Sequence, residues 1–166
     1  METIIRNAHP TDLPSILKIV NQAILHTTAV YDYDPHTLKE QQLWFQKKQD
    51  SQMPVIVAEQ EGEVVGFGSY GIFRSWAAYQ YSVEHSIYVT EDMRAKGVGK
   101  QLMHKLIELA EKQRFHTIIA GISADNQASL AFHQKFGFVE VGRFREVGYK
   151  FNRWLDLVFM QLFLSH

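Results

Sequence analysis

The chain has 166 residues, 46% of them apolar and 21% charged, with a formal charge of −1 and no cysteine. That length suits one globular domain able to bury roughly 70% of its unfolded surface, and the near-neutral charge gives no support to wholesale binding of nucleic acid or an anionic membrane. Without cysteine there is no disulfide framework, no thiolate metal site and no thiol nucleophile, which suits a reducing compartment.

The opening "METIIRNAHP" mixes acidic and basic residues within six positions and so lacks a signal-peptide core. The apolar run "LVFMQLFL" is too short to span a bilayer, and the expectation is a soluble cytoplasmic protein. Residues 2–6 predict a short strand. "HPTDLPSILKIVNQAIL" predicts a helix with Thr11 as N-cap and Ile16, Ile19, Val20 and Ala23 on one face. A second helix is expected over 36–48, with Leu38 and Trp44 partly buried. "PVIVAEQEGEVVGFGSYGIF" reads as a hairpin turning at Glu61-Gly62, and "YSVEHSIYV" as a strand with one side against something polar. The helix expected over 98–112 carries a buried stripe of Val98, Leu102, Met103, Leu106, Ile107, Leu109 and Ala110. "HTIIAGI" is a strand, "NQASLAFHQKFG" a helix stopped by Gly137, and "FVEVG" and "NRWLDLVFMQLFL" are the last strands. The order β-α-α-β-β-β-α-β-α-β-β predicts a single α/β domain around a mixed sheet.

The stretch "RAKGVGKQL" at 94–102 places two glycines and three cations where a long helix begins. Helix N-termini present unpartnered N–H groups and a partial positive charge, and glycine lets an anion approach that backbone. A P-loop is excluded because Gln101 follows Lys100 and no glycine stands at 94, and a dinucleotide fingerprint lacks its third glycine at Leu102. On the motif alone, a solvated helix start and a diphosphate site are both open.

The strand "SIYV", the polar turn, R-x-x-G-x-G and the amphipathic helix together resemble the acetyl-CoA-binding motif of the GCN5-related N-acetyltransferase (GNAT) family. "NQASLAFHQKFGF" resembles that family's second signature, an Asn-led helix closing on Gly-Phe. "TTAVYDYDP", "VEHSIYV", "LAFH" and "GYKFNRWLDLVFMQ" are similar to its phosphinothricin and methionine sulfoximine N-acetyltransferases. The resemblance implies a mixed, mostly antiparallel central sheet flanked by helices, acetyl-CoA as acetyl donor, a small amino-acid substrate and a homodimer.

Acetyl transfer to an amine needs a neutral amine, an aligned carbonyl, oxyanion stabilisation and a proton for the departing thiolate. An α-amino group of pKa about 7.7–8.0 is already roughly a tenth neutral at pH 7, so a carboxylate is an adequate base. Glu84, interrupting its strand, is either that base or a solvent-facing glutamate, and the resemblance favours the base. His85 should point to the opposite face, for binding or packing. The resemblance gives Ile87, Tyr88 and Val89 the backbone contacts to the pantetheine arm, opened by a bulge or splay. It gives Arg94, Ala95, Lys96, Gly97, Val98, Gly99 and Lys100 the diphosphate. Asn126 is a helix cap that, by the resemblance, also touches the cofactor. His133 stands where many family members carry a proton-donating tyrosine, and either donates a proton or packs in the core.

Arg74 is either a solvated surface arginine or, as the resemblance implies, the group that grips a substrate carboxylate, which guanidinium binds in two-pronged fashion, with Ser75, Trp76 and Ser86 implied beside it by the resemblance. Tyr31, Lys150 and Trp154 either line the same pocket or pack. Eight scattered histidines without H-x-H or H-E-x-x-H spacing indicate no metal site. Two rival functions remain: acetylation of another amine, such as a polyamine or a protein N-terminus, and non-catalytic sensing of acyl-CoA.

Overall fold

The alternation in the central hairpin is realised as two strands, β2 (Val55–Gln60) and β3 (Glu63–Ile72), joined by Glu61 and Gly62 at φ 50° and 81°. Two left-handed residues give the turn that matches strand twist. The computed structural model describes residues 1–165. Around that hairpin run β1 (Ile4–Asn7), α1 (Leu13–His26), α2 (Leu38–Asp50), β4 (Ser82–Val89), α3 (Val98–Lys112), β5 (Thr117–Ser123), α4 (Gln127–Lys135), β6 (Val139–Lys150) and β7 (Arg153–Phe163). The order agrees with that read from the sequence.

Among the described residues, seven strands lie in the order β1-β2-β3-β4-β5-β7-β6, and only the β4–β5 pair is parallel. Its register is three residues long: Ser82 opposite Thr117, Val83 opposite Ile118 and Glu84 opposite Ile119. Beyond Glu84 the two strands part, while β4 stays paired with β3 as far as Val89. The opening expected beside Ile87–Val89 is therefore a splay; no register shift interrupts β3–β4.

Each face of the sheet has its own core. On one, α1 contributes Leu13, Ile16, Val20 and Ile24 and α2 contributes Phe45, packed on Val55, Val57 and Phe67. On the other, α3 lays Val98, Leu102, Met103, Leu106 and Ala110 against Ile56, Val83, Ile118 and Met160. Burying each such Leu or Met stabilises by about 1.5–3 kcal/mol, enough to offset the two glycines at the head of α3. Ile107 and Leu109 are only partly buried at the margin of that stripe.

Four local expectations are corrected. Thr11 does not cap α1: Pro10–Asp12 form a 3-10 turn and Asp12 precedes the helix, its carboxylate held by Arg6 at 2.8 Å and by the His9 N–H at 2.7 Å. Helix α2 starts two residues later, at a capping box in which Thr37 and Glu40 satisfy each other's N–H groups. Leu38 is exposed, because α2 turns Gln41, Trp44 and Phe45 inward. Strand β6 runs to Lys150 rather than ending at Gly142, since irregularities at Glu140/Gly142 and Phe144/Gly148 absorb its non-alternating sequence. No helix of the described residues is long and apolar enough to cross a membrane.

Candidate active site

Strand alternation sorts β4 into two sets. Glu84, Ser86 and Tyr88 face α1 and α2, whereas His85, Ile87 and Val89 face α3 and α4. The backbone is sorted as well. Thr90 N–H donates to Val65 O and Phe73 N–H to Ser82 O, so even-numbered residues of β4 exchange bonds with β3. The N–H and C=O groups of Ile87 and Val89 consequently point into the splay, where β5 has left them.

Two hollows meet at this strand. A cavity of about 390 Å³ lies between the sheet and α1–α2, walled by Val20, Val30, Trp44, Phe67 and Tyr88, with Gln41, Lys48 and Glu84 among its polar groups. A cleft of about 130 Å³ occupies the splay, lined by Ile87 and Tyr88 of β4, Gly121 of β5, and Asn126, Ser129 and His133 around α4. Glu84, Ser86 and Tyr88 line both. Gly121 makes room for the carboxylate, since a Cβ there would stand 3.2 Å from Glu84 Oε2. Burial pushes the Glu84 carboxyl above the usual carboxylate range, and the positive charge of Arg74 partly offsets this. A base of raised pKa between two hollows suits proton removal from a group in one that reacts with a group in the other.

His85 and His133 are both buried and joined, Nε2 to Nε2, at 2.9 Å. His133 Nδ1 lies 2.7 Å from Ser129 O, a carbonyl that only accepts, so Nδ1 carries the proton. Burial lowers both imidazole pKa values, that of His85 to about 3, so both rings are neutral. His133 Nε2 is then a lone pair that accepts from His85 Nε2–H, and His85 Nδ1 is left as a buried acceptor without a partner among the described residues. Every polar site of His133 is engaged. Of the two readings left open for His133, proton donor to a departing thiolate or packed histidine, these contacts favour the second, in which it packs and holds His85.

At the head of α3 the N-cap is Gly97 at φ 86°, preceded by Ala95 at φ 59°, and no side chain caps the helix. The N–H groups of the first turn are thus left for another acceptor. Val98 is buried, so only its backbone can serve such a ligand, while Arg94, Lys96 and Lys100 are exposed around it. Gly99 sits over Val89 and Phe132, beside the end of β4 and α4. Asn126 caps α4, its Oδ1 accepting from Ser129 N–H at 3.1 Å, and also lines the cleft.

Other expected substrate residues lie apart. Arg74 donates to Phe73 O and stacks 4.2 Å above the Phe73 ring; Arg74, Ser75 and Trp76 are exposed and line neither hollow. Tyr31 hydrogen-bonds Ser123 Oγ at 2.9 Å across Gly148, where a Cβ would stand 2.7 Å from the ring. Lys150 is buried and its Nζ holds Thr27 O and Val30 O, pinning the loop after α1, while Trp154 is exposed. Sequence reasoning missed Gln41, Trp44 and Lys48. Their spacing along α2 was a helical-face signal, but nothing in it separated cavity from core.

Comparison with known proteins agrees with this geometry. Residues 21–138 match the Acetyltransferase (GNAT) family. The L-methionine sulfoximine/L-methionine sulfone acetyltransferase of Pseudomonas aeruginosa is 44% identical over 166 residues, 99% of this chain and 96% of that protein. The crystal structure of an N-acetyltransferase from Staphylococcus aureus Mu50 superposes with a TM-score of 0.98 at 48% identity, covering 99% of this chain and 100% of that one. A phosphinothricin acetyltransferase from Sinorhizobium meliloti, solved in complex with AcCoA, has a TM-score of 0.96 at 35% identity, over 99% and 90% of the two chains. A splayed sheet, a glycine-capped helix beside it and likeness along nearly the whole length lead to one conclusion: the chain belongs to the GNAT acetyltransferase family.

Proposed function

We propose that the protein is an acetyl-CoA-dependent N-acetyltransferase whose substrates are small amino acids with a tetrahedral polar side chain: methionine sulfoximine, methionine sulfone and phosphinothricin. The observation that carries this is the position of Glu84, whose carboxylate lines both the 390 Å³ cavity and the cleft in the splay. The names of the relatives from Pseudomonas aeruginosa and Sinorhizobium meliloti support the substrate class.

Acetyl-CoA supplies an activated acetyl thioester. The open first turn of α3, with Gly97, Gly99, Arg94 and Lys96 about it, suits the diphosphate, and the splay suits the pantetheine arm. The Ile87 and Val89 N–H groups offer donors to that arm and to the developing oxyanion. Glu84 takes the proton of the attacking α-amine as the N–C bond forms and the C–S bond breaks. With both His133 nitrogens engaged, water is the donor left to protonate the departing thiolate. Arg74, adjoining Glu84 electrostatically, would swing from its stack on Phe73 to meet the substrate carboxylate, with Ser75 and Trp76 alongside. A single catalytic domain, a cytoplasmic location and a homodimer complete the proposal. For the homodimer, the support is the exposed apolar row Val139, Val141, Phe144 and Phe163 on β6 and β7 at one edge of the sheet.

The test is acetyl-CoA consumption against a panel of these amino acids, polyamines and peptides. Glu84→Gln should lower kcat by roughly 10²–10⁴ with unchanged acetyl-CoA affinity. Full activity in that variant removes Glu84 as base. Cofactor binding with no amine acetylated would identify a sensor instead.

A further inference from the structure

We propose that Lys48 and Gln41, two turns apart on the inner face of α2, read the tetrahedral polar end of the substrate side chain. The inference rests on the acetyltransferase reading above and assigns its specificity. Lys48 lines the 390 Å³ cavity, and its Nζ donates to Tyr70 O at 2.8 Å, leaving two of its three protons for other acceptors. It lies 5.8 Å from the Trp44 ring centroid. No ion pair among the described residues includes Lys48. Of the three acids that line the cavity, Asp32 is engaged by His36 at 3.0 Å and Glu40 by the Thr37 N–H at 2.8 Å, and Glu84 directs its carboxylate away toward Gly121.

An ammonium held in such a place is costly, and burial lowers its pKa to about 8, still leaving it charged at neutral pH. Gln41 shows a second sign of a missing ligand. The residue is 4% exposed, it lines the same cavity, and its Oε1 has no hydrogen-bond partner among the described residues. Buried polar groups without partners are rare, and each asks for an explanation. A ligand that brings an acceptor to Lys48 and a partner to the Gln41 amide supplies one.

The site's dimensions name that ligand. A Cβ on Gly71 would stand 3.1 Å from Lys48 Nζ, and Gly71 is directly paired with Glu84 across β3–β4. The Glu84 carboxylate reaches the other way, toward Gly121 on β5. Base and ammonium are therefore separated by roughly the width of two strand spacings, about 10 Å. An α-amine at Glu84 puts the far end of a four-carbon-length side chain, not the neighbouring carboxylate, near Lys48. Its methylene stem then lies along Trp44, Phe67 and Tyr88. A sulfoximine offers one oxygen acceptor and one N–H donor, matching Lys48 and, once its amide turns into the cavity, Gln41 Oε1; a sulfone or phosphinate, which has no donor, is matched by Lys48 and the Gln41 amide N–H.

The test compares methionine sulfone with norleucine, which has similar length and no tetrahedral oxygens, at saturating acetyl-CoA. Lys48→Met should lower kcat/KM for the sulfone roughly 10- to 100-fold, the loss of a hydrogen bond to a charged donor, while norleucine turnover holds or rises. Gln41→Leu should lower the sulfone about 3- to 10-fold with the same sparing of norleucine. Because each variant is read by a ratio of two substrates, a general loss of folded protein cancels. An unchanged ratio in Lys48→Met overturns the inference, whether both rates fall or neither does. Wild-type protein that acetylates no amine defeats the acetyltransferase reading itself, and this assignment falls with it.

Discussion

A carboxylate that must be ionised to work, yet sits where ionisation is disfavoured, has a pH signature. Burial raises the Glu84 pKa and Arg74 lowers it. With Glu84 as the proposed base, the working form is the carboxylate, so kcat falls as pH drops through that pKa. Removing the guanidinium by Arg74→Ala takes away the lowering influence. The acid limb of kcat should therefore move to higher pH, whatever happens to KM, and a full pH profile of the variant checks this. An acid limb that stays in place would separate Arg74 from Glu84. At this scale the sequence was only partly legible. Glu84 could be picked out because a lone acid in an apolar strand is chemically conspicuous. Lys48 could not, because Lys47 and Lys48 stand side by side and only the fold turns one of them inward. His133 stayed open for a related reason: spacing places an imidazole on a helix face, but whether its N–H is free depends on Ser129 O and His85, contacts made by a backbone carbonyl and a distant strand.

Among the elements, α3 was the most legible, its limits of 98–112 read correctly because a 3.6-residue apolar period ran uninterrupted for four turns. Strand β6 was the least, because an edge strand with two irregularities follows no simple alternation. The N-terminus of α3 allows a clean separation of folding from binding. A Cβ at Gly99 would meet Phe132 at 3.7 Å and Val89 at 3.9 Å, ordinary contacts, so Gly99→Ala should keep or slightly raise the melting temperature. The same methyl stands where a diphosphate would approach the first-turn amides. Acetyl-CoA affinity measured by calorimetry is expected to fall about tenfold, roughly the worth of one helix-end anion contact. Unaltered affinity would move the diphosphate away from this turn.

For the whole molecule, charge and composition excluded more than they established, and the mixed sheet followed from element order rather than from any one strand. What no local pattern revealed is that the sheet is nearly two sheets, since the length of β4–β5 pairing is a tertiary property. Assembly is likewise a property of surfaces. Phe144 is 56% exposed and Phe163 65%, on neighbouring strands at the sheet's end. If that patch joins two copies, Phe144→Glu should convert a dimer to a monomer in sedimentation equilibrium while the circular dichroism spectrum is retained. A wild-type protein that sediments as a monomer sinks the homodimer.

The three rungs between β4 and β5 also divide the chain by its history. Strands β1 to β4 form one contiguous N-terminal arch, and β5 to β7 a contiguous C-terminal one, with the seam between them left mostly unsewn. A thioester arm lying in that seam and bonding to Ile87 and Val89 would act as the absent rungs. The molecule's most rigid form would then be the one caught mid-reaction, and release of the product would restore its looseness.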